Sequence, residues 1–199
     1  MLYFIAYILA VPILTLIYRP KVLNRKALRQ KGRVIYVANH LTMGDPIALA
    51  AIIPRVVHFM AKATLSDNRF MAWVFRQLLT FPVVQYTADT KAIRRAIDLL
   101  EQEKAFGVFP EGHRATDGTD MDTIDKGCAF IAVRANAPIV PMYIMPQAFK
   151  LGGRWKIAVG DPIYPEEVAA RCPAKKPVDA VNAALADEMM TLREQARSL

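Results

Sequence analysis

Short apolar runs that read as strands alternate along the chain with segments whose apolar positions recur at helical spacing. Val34, Ile35, Tyr36, Val37 and Ala38 form one continuous run, which stops at Asn39 and His40. A polar turn with Gly44 follows, Asp45 opens a second apolar run, and Pro54 halts the helix predicted over 47–53. Residues 56–61 read as a strand with Lys62 just past its end, 68–79 as an apolar helix and 81–84 as a strand. Over 90–103 a helix is clearer: Ile93, Ile97 and Leu100 share one face, with Arg94, Arg95 and Glu101 outside it. The strand that begins at Ala105 stops at Pro110 and Gly112. Beyond it come a helix over 126–136, strands over 139–144 and 155–159, and a long outer helix over 178–197.

Strands alternating with helices predict an α/β fold, a single layered domain with a mostly parallel sheet flanked by helices. Sites in such sheets gather at the carboxyl ends of strands, where the Asn39-His40 turn and the Pro110-Gly112 turn both fall. No internal repeat or second domain is visible.

The N-terminus changes the picture. Residues 1–18 contain no charge, and as a helix they would extend roughly 27 Å, near the apolar thickness of a bilayer. Pro12 is placed to kink that helix. No basic leader or small-residue cleavage site marks a removable signal. Arg19, Lys21, Arg25, Lys26, Arg29, Lys31 and Arg33 follow, and no acidic residue precedes Asp45. We therefore divide the chain into a membrane-associating apolar segment with a basic flank, 1–30, and the layered α/β domain, 31–199. A basic juxtamembrane cluster favours the cytoplasmic face of the cell membrane and attracts anionic lipids. Spanning and interface-lying insertion stay open at this stage.

Composition agrees. The 199 residues are 54% hydrophobic with mean hydropathy +0.19, and 26 Lys and Arg face 18 Asp and Glu. A basic, apolar chain suits anionic lipid surfaces or nucleic acid. Aromatic and basic residues do not interleave as in nucleic-acid modules, so no nucleic-acid partner is expected. Cys128 and Cys172 are too few and too far apart for a disulfide framework or a zinc site.

Candidate chemistry starts with His40 and Asp45. Five positions apart, they would sit about 140° apart on one helix and on opposite faces of one strand. They meet if His40 ends a strand, Gly44 lets the chain bend and Asp45 starts a helix. A carboxylate on one imidazole nitrogen fixes the tautomer and leaves the other as a base. The plain alternative makes Asp45 an N-cap and His40 a polar loop residue.

The second turn reads Phe109-Pro110-Glu111-Gly112-His113-Arg114. With Asn39, His40 and Asp45 in Asn-His-x4-Asp spacing, and Val140-Pro141 after an apolar strand, the chain resembles the glycerolipid acyltransferase family, which includes 1-acylglycerol-3-phosphate acyltransferases. The motifs keep the family's order over about residues 33–145. Two positions depart. In the family's second motif Leu79 and Gln85 stand where Gly and Arg are expected, and His113 replaces Thr in the third. The missing Arg bears on which acceptor is used.

The resemblance implies transfer of a fatty acyl group from acyl-CoA or acyl-carrier protein to the free hydroxyl of a lysophospholipid. The expected acceptor is 1-acylglycerol-3-phosphate, the product phosphatidic acid, and no cofactor is required. His40 is then the general base and Asp45 its orienting partner. Glu111, Gly112, His113 and Arg114 form the acceptor-binding turn, with Arg114 suited to a bidentate phosphate contact. Lys62 corresponds to a family lysine near the anionic substrate, or is a snorkelling surface residue. Asn39 and Pro141 complete the substrate-binding set, Asn39 reading mainly as scaffolding, and Glu111 has a structural-carboxylate alternative. Other classes fit less well. Neither Ser66 nor Ser198 lies in Gly-x-Ser-x-Gly, and His113-Arg114 stands where a phosphate loop needs Lys-Ser/Thr. Open alternatives are another lipid acceptor, a metal-dependent hydrolase using His40, Asp45, Glu111 and His113, and a lipid-binding module without turnover.

Overall fold

The computed structural model of the chain describes residues 2–66, 68–77, 79–84, 89–112, 124–145 and 153–199. The apolar runs become strands β1 (Lys21–Leu23), β2 (Val34–Ala38), β3 (Val57–Lys62), β4 (Phe81–Val83), β5 (Ala105–Val108), β6 (Ile139–Ile144) and β7 (Lys156–Val159). Between and around them lie helices α1 (Leu2–Tyr18), α2 (Asp45–Ile52), α3 (Arg69–Gln77), α4 (Thr90–Glu101), α5 (Gly127–Ala135), α6 (Pro165–Arg171) and α7 (Pro177–Arg197).

The strands form one sheet in the order β1-β7-β6-β2-β5-β3-β4. Pairing is parallel from β6 through β4, whereas β7 runs antiparallel to β6 and carries β1 parallel to itself at the edge. The chain is thus a single α/β domain with a mostly parallel sheet, as its periodicity predicts. β2 lies between β5 and β6 with every residue buried, which is why it reads as a continuous apolar run and not an alternating one.

Alternation along β2 feeds two cores. Ile35 and Val37 join Phe106, Ile139 and Tyr143 under α4, α5 and α7. Val34, Tyr36 and Ala38 face Leu28, Leu49, Ile52 and Trp155 on the other side. Helix α7 packs through Val181, Leu185, Met189, Leu192 and Ala196, a stripe at helical spacing. Helix α4 starts where Asp89 accepts the backbone N–H groups of Lys91 and Ala92 at 3.1 and 3.0 Å.

The division after residue 30 does not survive. β1 belongs to the sheet, and Ala27 and Leu28, in a 3-10 turn over Arg25–Leu28, are buried, with Leu28 O accepting the Tyr36 hydroxyl at 2.7 Å. Three strand residues and two buried ones are too few to show through seven basic side chains. Helix α6 also went unread, although Pro165 in its first turn followed by Glu166 and Glu167 is a start signal.

Helix α1 has 17 residues with Pro12 inside, and among the described residues no helix is long and apolar enough to cross a membrane. It is not simply core either. Leu14 and Tyr18 pack on the body, whereas Ile8, Leu9, Ile13, Leu16 and Ile17 are exposed.

Candidate active site

β2 ends at Ala38, and the next two side chains divide the work. Asn39 is fully buried; its Nδ2 donates to Ile144 O at 2.9 Å and its Oδ1 accepts Ile144 N–H at 2.7 Å. Those bonds fasten the carboxyl ends of β2 and β6 together and engage both ends of the amide. Asn39 is therefore scaffold, and its place among the substrate-binding residues is corrected.

His40 points out of the sheet edge and is only partly exposed, at 18% of its side chain. Its Nδ1 lies 2.9 Å from Asp45 Oδ2. The same oxygen accepts the backbone N–H groups of Leu41 and Thr42 at 2.6 and 2.7 Å, and Asp45 Oδ1 accepts the Thr42 hydroxyl at 2.8 Å. Gly44 is the N-cap of α2, so Asp45 is its first residue, and the chain bends between strand and helix as the spacing requires. A carboxylate that accepts every one of these bonds leaves the proton on Nδ1, with Nε2 as the basic nitrogen.

The loop after β5 closes over this pair. Glu111 is buried, and its Oε1 accepts the His40 backbone N–H at 3.2 Å. Phe109 stacks on the imidazole, ring centres 4.3 Å apart, and Phe59 of β3 backs Phe109 at 6.1 Å. Gly107, opposite Phe59 in the sheet, makes room for that ring: a Cβ there would lie 2.4 Å from Phe59 Cε1. Gly112 has φ +68° and open space around its missing side chain, which suits close approach of a substrate to backbone.

The remaining sequence candidates fall differently. His113, Arg114 and Gln85 lie outside the described residues. Lys62 is the exposed last residue of β3, not one past it; it stands at the same end of the sheet as His40, but on the face of His58 and Met60. Pro141 is corrected. It sits inside β6 opposite Val37, on the α7 side, where a Cβ on Gly160 would come 2.9 Å from its ring. Its missing N–H faces the point where β7 has just ended, so a central strand tolerates it. Leu79 has φ +59°, a left-handed conformation that favours glycine, the residue the resemblance expected there. Among the described residues no three His, Cys, Asp or Glu side chains stand close enough to hold a metal ion.

Two contributors went unread. Thr42 braces the far oxygen of Asp45, and a hydroxyl between His and Asp was the available signal. Phe109 meets His40 only because β2 and β5 are neighbours, which nothing local reveals.

Comparison with known proteins adds an independent line. The model of the acyltransferase family matches residues 19–145. A 1-acyl-sn-glycerol-3-phosphate acyltransferase of Bacillus subtilis is 28% identical over 184 residues, covering 90% of each chain. The crystal structure of the 1-acyl-sn-glycerophosphate (LPA) acyltransferase PlsC from Thermotoga maritima superposes with TM-score 0.65. It covers 94% of this chain and 81% of that one at 20% identity, a likeness of fold.

Proposed function

Since the chain belongs to the acyltransferase family, we propose that it moves a fatty acyl group from an acyl thioester to the free hydroxyl of 1-acylglycerol-3-phosphate, giving phosphatidic acid. The observation that carries this reading is the 2.9 Å contact of His40 Nδ1 with Asp45 at the exit of β2. A curated relative with that activity supports the choice of acceptor.

A free hydroxyl is a poor nucleophile at neutral pH. His40 Nε2 takes its proton as the oxygen attacks the thioester carbonyl, and Asp45 stabilises the imidazolium that forms. The new C–O bond is made, the C–S bond breaks, and the proton passes from His40 to the leaving thiolate. Glu111 and Phe109 hold His40 in place during both transfers. The acceptor hydroxyl is itself the nucleophile, so no acyl-enzyme is required. Arg114 binds the acceptor phosphate, Gly112 lets it approach, and Lys62 and His113 add positive charge or hydrogen bonds for the anionic substrate.

The donor is acyl-CoA or acyl-carrier protein. The work is done at the cytoplasmic face of the cell membrane, with the apolar face of α1 against the bilayer and the basic residues of 19–33 against anionic headgroups. Purified full-length chain, offered long-chain acyl-CoA and acyl-carrier protein against lysophospholipids with different headgroups, tests all of this. Phosphatidic acid from 1-acylglycerol-3-phosphate is expected. Transfer only to a different headgroup would overturn the acceptor assignment, and an unimpaired His40→Ala variant would overturn the mechanism.

A further inference from the structure

Helix α3 turns Phe70 and Trp73 outward. Phe70 is 66% exposed and Trp73 49% exposed, their rings stacked 6.2 Å apart. Arg69 and Arg76 are exposed too. At 100° per residue Arg76, Arg69, Trp73 and Phe70 fall within an arc of about 120°, so one face presents two guanidinium groups beside two aromatic rings.

That face is placed near the chemistry. A 3-10 turn (Ala63–Ser66) leads out of β3 directly after Lys62, and β4 begins opposite Met60. Both ends of α3 are therefore tied to the carboxyl half of β3, the end of the sheet where His40 stands.

Charge sorts the same way. Residues 1–88 hold eleven Lys and Arg against two acids, Asp45 and Asp67, whereas 89–199 hold fifteen against sixteen. All of the net positive charge is in the part that builds α1, α2 and α3. Between residues 68 and 88 there is no acidic residue at all. Arg with Trp and Phe on one exposed face suits a bilayer's polar boundary, where rings sit at headgroup depth and cations meet lipid phosphates.

We propose that α3 is a second membrane-contact element, docking Phe70 and Trp73 into the headgroup layer of an anionic bilayer while Arg69 and Arg76 engage lipid phosphates. This rests on the membrane reading above and extends it from α1 to a separate surface. Contacts through both α1 and α3 would turn the carboxyl edge of the sheet toward the lipid.

The chain carries its own reporter. Trp73 and Trp155 are the only tryptophans, and Trp155 is fully buried. The experiment adds vesicles of brominated phosphatidylcholine and phosphatidylglycerol to the full-length chain and reads both sedimentation and tryptophan emission. Bromines near the headgroup should quench the emission, and the quenching should vanish in Trp73→Phe. Arg69→Gln with Arg76→Gln should lower α3 docking on anionic vesicles roughly thirtyfold. Sedimentation with unquenched Trp73 would overturn α3 docking alone, as would quenching that persists in Trp73→Phe or docking unchanged in the arginine variant. A chain that sediments with no vesicle would overturn the membrane reading and this inference together.

Discussion

The carboxylate of Glu111 accepts the backbone N–H of His40 at 3.2 Å, so the loop after β5 holds the residue on which the loop after β2 depends. The two are 71 positions apart in sequence and adjacent only because β2 pairs with β5. Glu111→Gln keeps an acceptor oxygen, and kcat should stay within about tenfold of the parent. Glu111→Ala removes it, and small misplacement of a base costs on the order of a hundredfold. Steady-state kinetics with the melting temperature measured in parallel separates the effects; equal losses in both variants would show that the charge, not the acceptor, is needed.

His40→Ala should lower kcat by roughly 10² to 10⁴, the usual contribution of a positioned base. Asp45→Asn should act in the same direction, because an amide disturbs the tautomer and the turn over Leu41 and Thr42. Residues that act as a unit are not additive. The double variant should therefore be little worse than His40→Ala, a comparison that one set of progress curves provides.

Asn39→Ala should cost stability first. It strands a buried N–H and a buried C=O at Ile144, at about 2 to 4 kcal/mol in all. Urea denaturation reads this directly, and a loss well below that range would mean that the ends of β2 and β6 are held by something else.

His58 supplies a pH test away from the site. Burial, helped by Lys104 and Arg95 and opposed by its contact with Ala105 O, holds its imidazole below the ordinary 6.5. The unfolded chain then binds the proton first as pH falls, so this contribution to stability is present above 6.5 and is lost on acidification toward the folded value. His58→Gln should flatten the difference in unfolding free energy between about pH 7 and about pH 5. An unchanged difference would remove His58 as its source.

Thiol labelling offers a check on the core. Cys128 is on the buried face of α5 and its thiol is pushed up to about 12 by desolvation, with Asp125 adding to it. Cys172 is partly exposed at the end of α6 and should react alone in the native protein, Cys128 joining it only on unfolding. Mass spectrometry of labelled peptides decides.

What the sequence disclosed follows from how local each signal is. The meeting of His40 with Asp45 was legible because their spacing admits it only across a strand-turn-helix bend. The role of Asn39 was half legible: its scaffold character showed, but its partner Ile144 is 105 residues away and needs the β2–β6 register to be known. Pro141 misled because it lies in an apolar strand near the motifs in sequence, and the parity that turns it toward α7 is fixed only once Val37 is its neighbour. β1 stayed hidden because strand pairing at an edge needs no hydrophobic run of its own.

The join between α1 and the sheet is short and stiff. Tyr18 stacks flat on Trp155 at 4.7 Å, Trp155 N–H donates to Tyr18 O at 3.1 Å, and Lys21 N–H donates to Trp155 O at 2.6 Å. With only Arg19 and Pro20 between helix and strand, α1 works as a keel and not as a leash. On the proposed membrane reading, a bilayer gripping α1 would set the pitch of the whole sheet, and with it the depth at which the imidazole meets its acceptor.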